Sequence, residues 1–393
     1  MLIGVVGKPN VGKSTFFRSA TLAEALIGNY PFATIQPNRG TGFVKIKDIA
    51  QEQGRTANPR EGYIHGKYRF VPVELIDVAG LVPGASEGKG MGNKFLDDLS
   101  AADVLIHVID ASGSTNEKGE SVETGSYDPV KDIQFLEKEL DAWLHQILER
   151  GWNKFARQLH MSGKPVDKSI AEHFSGLKIN LAMVRAAFDE TKLSSNLTTW
   201  SEEDIKSFSS ALRKKSKPIV IAANKFDKSS TEILNRIKNN TDSHVIACST
   251  EYELALREAS KHKIIDYIPG SSRFETIGKP NEAQSSALTK IDDYLREYNK
   301  TGVQDVLNYA VFKILDSICV HPGGVSKLED SQGNVLPDCF IMPRGSTALD
   351  FAYKLHSDFG ENFIRAIDVK TKKTVGKEYE LKNYDIIEII ANK

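Results

Sequence analysis

Continuous apolar runs and amphipathic stretches alternate along this chain. Five runs, Leu2–Val6, Val71–Ile76, Val104–Ile109, Pro218–Ala222 and His244–Ala247, are apolar at nearly every position. A strand covered on both faces needs that continuity, whereas a half-exposed strand would alternate. Helical or loop stretches separate the runs. The alternation predicts an α/β fold around a mostly parallel, doubly wound sheet. Thr41–Lys47 is expected as an additional strand, antiparallel at the edge.

The spacing breaks between Ile109 and Pro218, an interval far longer than one βα crossover needs. Ile133, Leu136, Leu140, Leu144 and Ile147 fall at helical spacing there, and Trp152, Phe155 and Leu159 continue beyond Gly151. Residues 179 to 188 give another helix. Ser201 is an expected N-cap, followed by the acidic turn Glu202-Glu203-Asp204, of a helix closing on Arg213-Lys214-Lys215. Residues 128–216 are therefore expected to form a helical insertion, as a hairpin or small coiled coil. The tail from 317 to 393 changes character. Its strand-like segments Ser317–Val320, Asp338–Met342, Ala366–Val369 and Ile386–Ile390 surround one helical stretch, Ala348–Phe359. That pattern predicts a separate small α+β module.

Composition excludes several classes. With 40% hydrophobic and 26% charged residues the chain is ordinary globular protein. Lys and Arg number 51 against 52 Asp and Glu, a net charge of -1. No global basic excess argues for nucleic acid and no DNA partner is expected, although a local patch could still bind nucleic acid. Three cysteines, Cys248, Cys319 and Cys339, are too few and scattered for a disulfide framework or zinc knuckle. No apolar run approaches membrane-spanning length. The first apolar run begins at residue 2, so no signal or transit peptide is expected ahead of it. A cytoplasmic protein, monomeric and without a membrane partner, is expected.

The chemistry begins directly after the first strand. Gly7-Lys8-Pro9-Asn10-Val11-Gly12-Lys13-Ser14-Thr15 fits G-x-x-x-x-G-K-[ST], a loop whose main-chain N–H groups cradle phosphates. Lys13 is placed for the β- and γ-phosphates and Ser14 for Mg²⁺. The helix that follows aims its positive end at the same anion. An ordinary glycine turn is the alternative, and the strand–loop–helix context argues against it. Asp77-Val78-Ala79-Gly80 ends the strand Val71–Ile76. There Asp77 can hold Mg²⁺ through water, and the Gly80 N–H can meet the γ-phosphate. Thr34 lies between the phosphate-loop helix and the next strand. It is either a loop threonine or the switch residue that closes on Mg²⁺ and the γ-phosphate.

Asn224-Lys225-Phe226-Asp227 follows the strand Pro218–Ala222. The Asp227 carboxylate can accept from guanine N1–H and its exocyclic amine; adenine offers no matching donor pair. Cys248-Ser249-Thr250, after the next strand, is expected to offer a main-chain N–H to guanine O6. A kinase sharing the phosphate loop would need an acceptor pocket and no guanine reader. A nucleotide-sensing scaffold with negligible turnover stays open.

The order of phosphate loop, switch Thr, D-x-x-G, N-K-x-D and C-S-T resembles the translation-factor-related GTPases. G-K-P-N-V-G-K-S-T-F-F, N-Y-P-F-A-T-I-Q-P-N-R-G and D-V-A-G-L-V-P-G-A-S-E-G-K-G-M-G-N-K-F-L-D-D narrow the resemblance to the Obg-related YchF family. I-M-P-R-G-S-T-A-L-D-F-A-Y-K-L-H-S-D-F-G-E-N-F resembles a TGS domain, a ubiquitin-like β-grasp module of that family. The resemblance implies a P-loop NTPase G domain over 1–127 and 217–316, including the return Thr301-Gly302-Val303-Gln304. It implies the insertion at 128–216 and a TGS domain over 317–393. It also implies association with ribosomes or ribosomal RNA. Many YchF proteins have lost N-K-x-D and prefer ATP. This chain keeps Asn224, Lys225 and Asp227 and resembles the archaeal-type branch, so GTP hydrolysis to GDP and phosphate is expected. ATP preference is the alternative.

Leu81 occupies the position where Ras-like enzymes carry a water-orienting Gln, so slow intrinsic turnover is expected. Catalysis then rests on Asn10, Lys13, Thr34 and Gly80. By resemblance, Asn10 matches an asparagine that helps bind K⁺ beside the phosphates; a turn-forming role is the alternative. Gly84, Gly88, Gly90 and Gly92 suit a mobile switch, and His107 in its apolar strand reads as packed.

Overall fold

The computed structural model describes residues 1–22, 38–78 and 98–392. Thr34, Gly80, Leu81 and the glycines at 84, 88, 90 and 92 lie outside the described residues.

The apolar runs become strands of one sheet. β1 (Leu2–Val6) runs parallel to β4 (Tyr68–Asp77) on one side and to β5 (Val104–Asp110) on the other. β6 (Ile219–Asn224) and β7 (His244–Ala247) continue the parallel set. β2 (Arg39–Lys47) pairs antiparallel with β4, giving the order β2-β4-β1-β5-β6-β7. The edge strand expected at Thr41–Lys47 is thus present and antiparallel. β3 (Tyr63–His65) adds to β4 and was invisible as a three-residue run with two polar-tipped rings.

Every residue of β1 and β5 is buried, because helices cover both faces. On one face Ile3, Val5, Val104 and Ile106 pack with Phe16 and Val306. On the other, Val6, Leu105 and Ile109 join Leu136, Leu140 and Leu144 of the helical region. This continuity decides how that region sits. It is a cluster of five helices, Val130–Glu149, Trp152–Ser162, Val166–His173, Leu181–Thr191 and Glu202–Ser216, laid on the sheet. A hairpin or coiled coil needs long helices with one narrow seam. Here Gly151 and Gly163, both left-handed, end helices early, and Lys178 and Lys192 turn left-handed as well. The short helices share an aromatic centre in which Trp152 stacks on Trp200 at 5.3 Å and Phe188 meets Phe208 at 5.0 Å. Ser201 caps the last helix with a full capping box to Asp204, as its sequence indicates.

β8 (Ile265–Asp266) and β9 (Glu275–Thr276) pair antiparallel as a short ribbon, and the tail forms a further sheet ordered β11-β10-β14-β12-β13. Its strands are β10 (Ser317–Pro322), β11 (Phe340–Pro343), β12 (Phe363–Asp368), β13 (Lys373–Val375) and β14 (Asp385–Ala391). β10 and β14 run parallel and the other pairs antiparallel. The helix Ala348–Leu355 packs Ala348 and Phe351 onto Ile318, Val320 and Ile387. The single helix expected to Phe359 breaks at His356, which is extended, and a short one follows over Ser357–Glu361.

Candidate nucleotide site

The phosphate loop leaves β1 and enters the helix Lys13–Thr21. Asn10 and Gly12 both take left-handed backbone, at φ 64 and 93. Gly12 is required twice over, because a Cβ there would overlap Asn224 Nδ2. Lys13 Nζ pairs with Asp77 Oδ1 and donates to the Val78 carbonyl at 2.9 Å. Ser14 Oγ and Asp77 Oδ2 lie 3.5 Å apart at the loop's mouth. Two hard oxygen donors at that place fit Mg²⁺. Val11 is buried, Pro9, Asn10 and Ser14 are exposed, and Thr15 lies half-buried.

Lys8 departs from a phosphate contact through its side chain. Its Nζ turns beneath the loop to Asp132 Oδ1 and the Thr115 carbonyl, each at 2.9 Å, and sits 3.9 Å from the centre of the Tyr127 ring. The Tyr127 hydroxyl donates to the same Asp132 at 2.9 Å. Burial pushes the Lys8 ammonium down and the Asp132 carboxyl up, and their mutual bond opposes both shifts. Only the Lys8 main chain remains for an anion. Asn10 Nδ2 donates to the Gly119 carbonyl at 2.8 Å, which leaves Oδ1 as an oxygen donor of the kind K⁺ takes. The chain after β5 therefore braces the loop through Lys8 and Asn10.

The segments expected to recognise the base meet the loop through Asn224. Its Nδ2 donates to the Val11 carbonyl at 2.8 Å and its Oδ1 accepts from the Thr250 N–H at 3.1 Å. Lys225, left-handed at φ 57, sends Nζ to Asp110 Oδ2 at 2.9 Å. Burial raises the Asp110 carboxyl, but bonds from Ser112, Thr115 and Lys225 outweigh it and hold the group below its ordinary range. Asp227 Oδ1 accepts from Ser249 Oγ at 2.7 Å, and among the described residues nothing donates to Oδ2. One carboxylate oxygen is thus anchored and the other is free for a base.

Cys248-Ser249-Thr250 differs from expectation. The N–H of Cys248 bonds the Ala223 carbonyl at 2.8 Å, that of Ser249 the Thr301 carbonyl at 2.9 Å, and that of Thr250 the Asn224 side chain. All three donors are engaged within the protein, so none faces a base O6. Thr301 is held in turn by its hydroxyl to the buried Glu253. Sequence reasoning missed Asp110, Asp132 and Thr301 as supports; Asp110 at a strand's C-terminal end was the one visible signal.

Residues 2–147 match the family described as 50S ribosome-binding GTPase, and residues 222–324 the Obg-like GTPase YGR210-like, G4 motif-containing domain. Residues 332–391 match the TGS domain. An uncharacterized GTP-binding protein of Methanocaldococcus jannaschii is 46% identical over 99% of both chains. The ribosome-binding ATPase YchF of Bacillus subtilis is 27% identical over 99% of this chain and 98% of its own. The chain belongs to the YchF/Obg-like GTPase family. Among solved structures, a GTP binding protein from Pyrococcus horikoshii aligns over the whole of both chains, at 38% identity and a TM-score of 0.79. The YchF GTPase of Schizosaccharomyces pombe shares the fold, at 21% identity and a TM-score of 0.59 over 99% of this chain and 97% of its own. Family members carry both GTP-binding and ATPase names, so the base preference of this YchF-like chain rests on its own residues.

Proposed function

We propose that the chain binds GTP with Mg²⁺ and hydrolyses it slowly to GDP and phosphate, as a nucleotide switch that acts with ribosomes in the cytoplasm. The observation that carries the base assignment is the Asp227 carboxylate, anchored by Ser249 at 2.7 Å with Oδ2 left to accept from guanine. Adenine would leave that oxygen unpaired.

Lys13, held at the mouth by Asp77 and Val78, is exchanged from Asp77 to the phosphates as the triphosphate enters. Ser14 and Asp77 are the oxygen donors that would hold Mg²⁺, which neutralises charge building on the phosphate oxygens. Asn10 offers Oδ1 beside the phosphates for K⁺. Thr34 and Gly80 are the residues assigned to sense the γ-phosphate. Leu81 has no group to orient water, which supports slow turnover in isolation.

A second reading, tolerance of ATP, has one observation in its favour: the Ser249 N–H is already bonded to Thr301. The ribosomal role is supported by the names of the relatives and by the TGS match. Phosphate release from GTP is measured in K⁺ and in Na⁺, with Mg²⁺ present or chelated. Faster release in K⁺ and loss on chelation are expected. Equal rates in the two salts remove the K⁺ assignment, and release that survives chelation removes Mg²⁺. Cosedimentation with ribosomes that is unaffected by a GTP analogue would contradict the switch.

A further inference from the structure

The outer edge of the large sheet is open beside the base-recognition strand. β7 is the terminal strand and bonds only β6. Among the described residues its four members make no main-chain-to-main-chain hydrogen bond outside that pairing; the Ile246 carbonyl accepts from Cys248 Sγ at 3.6 Å, and Gly302 packs against the Ala247 carbonyl. Helices flank this edge on opposite faces. Leu234 and Ile237 of the helix Thr231–Lys238 pack on one face with Val245, and Val303 and Val306 of the helix Val303–Tyr309 pack on the other with Val220.

Between them lies a cavity of about 690 Å³ floored by β7 itself. Its walls are rings, from Phe226, Tyr294, Tyr298, Tyr309 and Phe312. Its rim carries Lys238, Lys300 and Lys313 against one carboxylate, Asp305, which Lys300 already binds at 2.6 Å. Among the described residues Lys238 and Lys313 form no ion pair, and both are exposed.

We propose that this groove takes an extended acidic peptide with an aromatic or aliphatic anchor, added to the sheet as a strand on β7. Three features converge on that occupant. The main-chain donors and acceptors of this edge strand that have no partner are satisfied by another strand and not by a phosphodiester backbone. The ring-lined cavity accepts one or two apolar side chains projecting from such a strand. The excess of ammonium groups at the rim selects carboxylates on either side of the anchor. The site lies behind the nucleotide loops: Phe226, in the wall, donates its N–H to the Cys248 carbonyl at 3.0 Å. None of its lysines belongs to the nucleotide site, so the proposal stands whichever base is bound.

The full chain is titrated, by fluorescence anisotropy, into labelled synthetic ten-residue peptides that vary in charge and in the presence of Phe or Leu. Acidic peptides with an apolar anchor are expected to bind, and neutral or basic ones to bind at least about tenfold more weakly. Lys238→Glu and Lys313→Glu are expected to reduce binding by a similar factor while nucleotide binding is unchanged. Amide exchange at residues 244–247 is expected to slow when the peptide is bound. The proposal is overturned if no peptide binds or binding ignores peptide charge. It is equally overturned if both lysine reversals leave binding intact, or if oligouridine RNA binds with the same lysine dependence while peptides do not.

Discussion

Asn224 donates from Nδ2 to the carbonyl of Val11 across 2.8 Å, and so fastens the end of β6 to the phosphate loop. Its other end accepts from Thr250, so one buried amide closes three loops on each other. The side chain is therefore less a base contact than a clamp on the loop's left-handed turn at Gly12. Asn224→Ala is expected to weaken GTP and ATP binding alike. The loss is about 1–3 kcal/mol, since it leaves the Val11 carbonyl and the Thr250 N–H buried and unpaired. Isothermal titration with both nucleotides checks this; a loss confined to GTP would return Asn224 to direct base reading.

The pair beneath the loop gives a second expectation. Lys8 and Asp132 are both buried and bonded at 2.8 Å. Lys8→Ala strands a buried carboxylate and is expected to cost about 3–5 kcal/mol of stability. Lys8→Met combined with Asp132→Leu, which removes both charges, is expected to cost much less. Urea unfolding of the single and double variants separates the two; equal losses would mean that the charge pairing is immaterial.

How much of this was legible in the sequence differs by kind of interaction. The sheet and phosphate loop were readable because each is written in contiguous residues: an all-apolar run, then two glycines and a Lys-Ser at fixed spacing. The Lys8–Asp132 pair spans 124 residues and the Asn224–Val11 bond 213, so no local pattern announces either. The helical region was recognisable as helical, yet its packing was not. Leu136 and Leu140 fit a coiled-coil seam as well as they fit the sheet face they cover. The engagement of the Ser249 N–H with Thr301 depends on a turn at Gly302, φ 87, that only tertiary structure defines.

A pH dependence follows from His107 in the centre of β5. Burial, with the Lys8 ammonium adding to it, brings its pKa down to about 3. The unfolded chain binds this proton near pH 6.5 and the folded chain does not until much lower. Stability from this residue is therefore complete above pH 6.5 and is lost as pH falls towards 3, by at most about 1.4 kcal/mol per unit. Urea midpoints for the wild type and His107→Leu between pH 7 and 4.5 check this. The variant is expected to show the shallower fall, and parallel curves would contradict the assignment.

Arg69 ties the large sheet to the β10–β11 connection of the tail module. Its guanidinium, buried on β4, donates to the carbonyls of Leu336 at 2.6 Å and Pro337 at 2.8 Å. Arg69→Lys cannot reproduce that fork. It is expected to free the tail module from the large sheet, seen as faster proteolysis between residues 322 and 340 with nucleotide binding retained. Unchanged proteolysis would show that the exposed pairs Arg60–Asp330 and Lys370–Glu52 suffice.

The central claim is that Asp227 reads guanine. Competition between GTP and ATP for the full chain in Mg²⁺ and K⁺ tests it most directly, with Asp227→Asn alongside and XTP as a third nucleotide. GTP is expected to bind between about ten- and a hundredfold more tightly than ATP. In Asp227→Asn that preference is expected to pass to XTP, whose extra carbonyl accepts from the new amide. ATP binding as tightly as GTP, or an unchanged preference in the variant, would contradict the account.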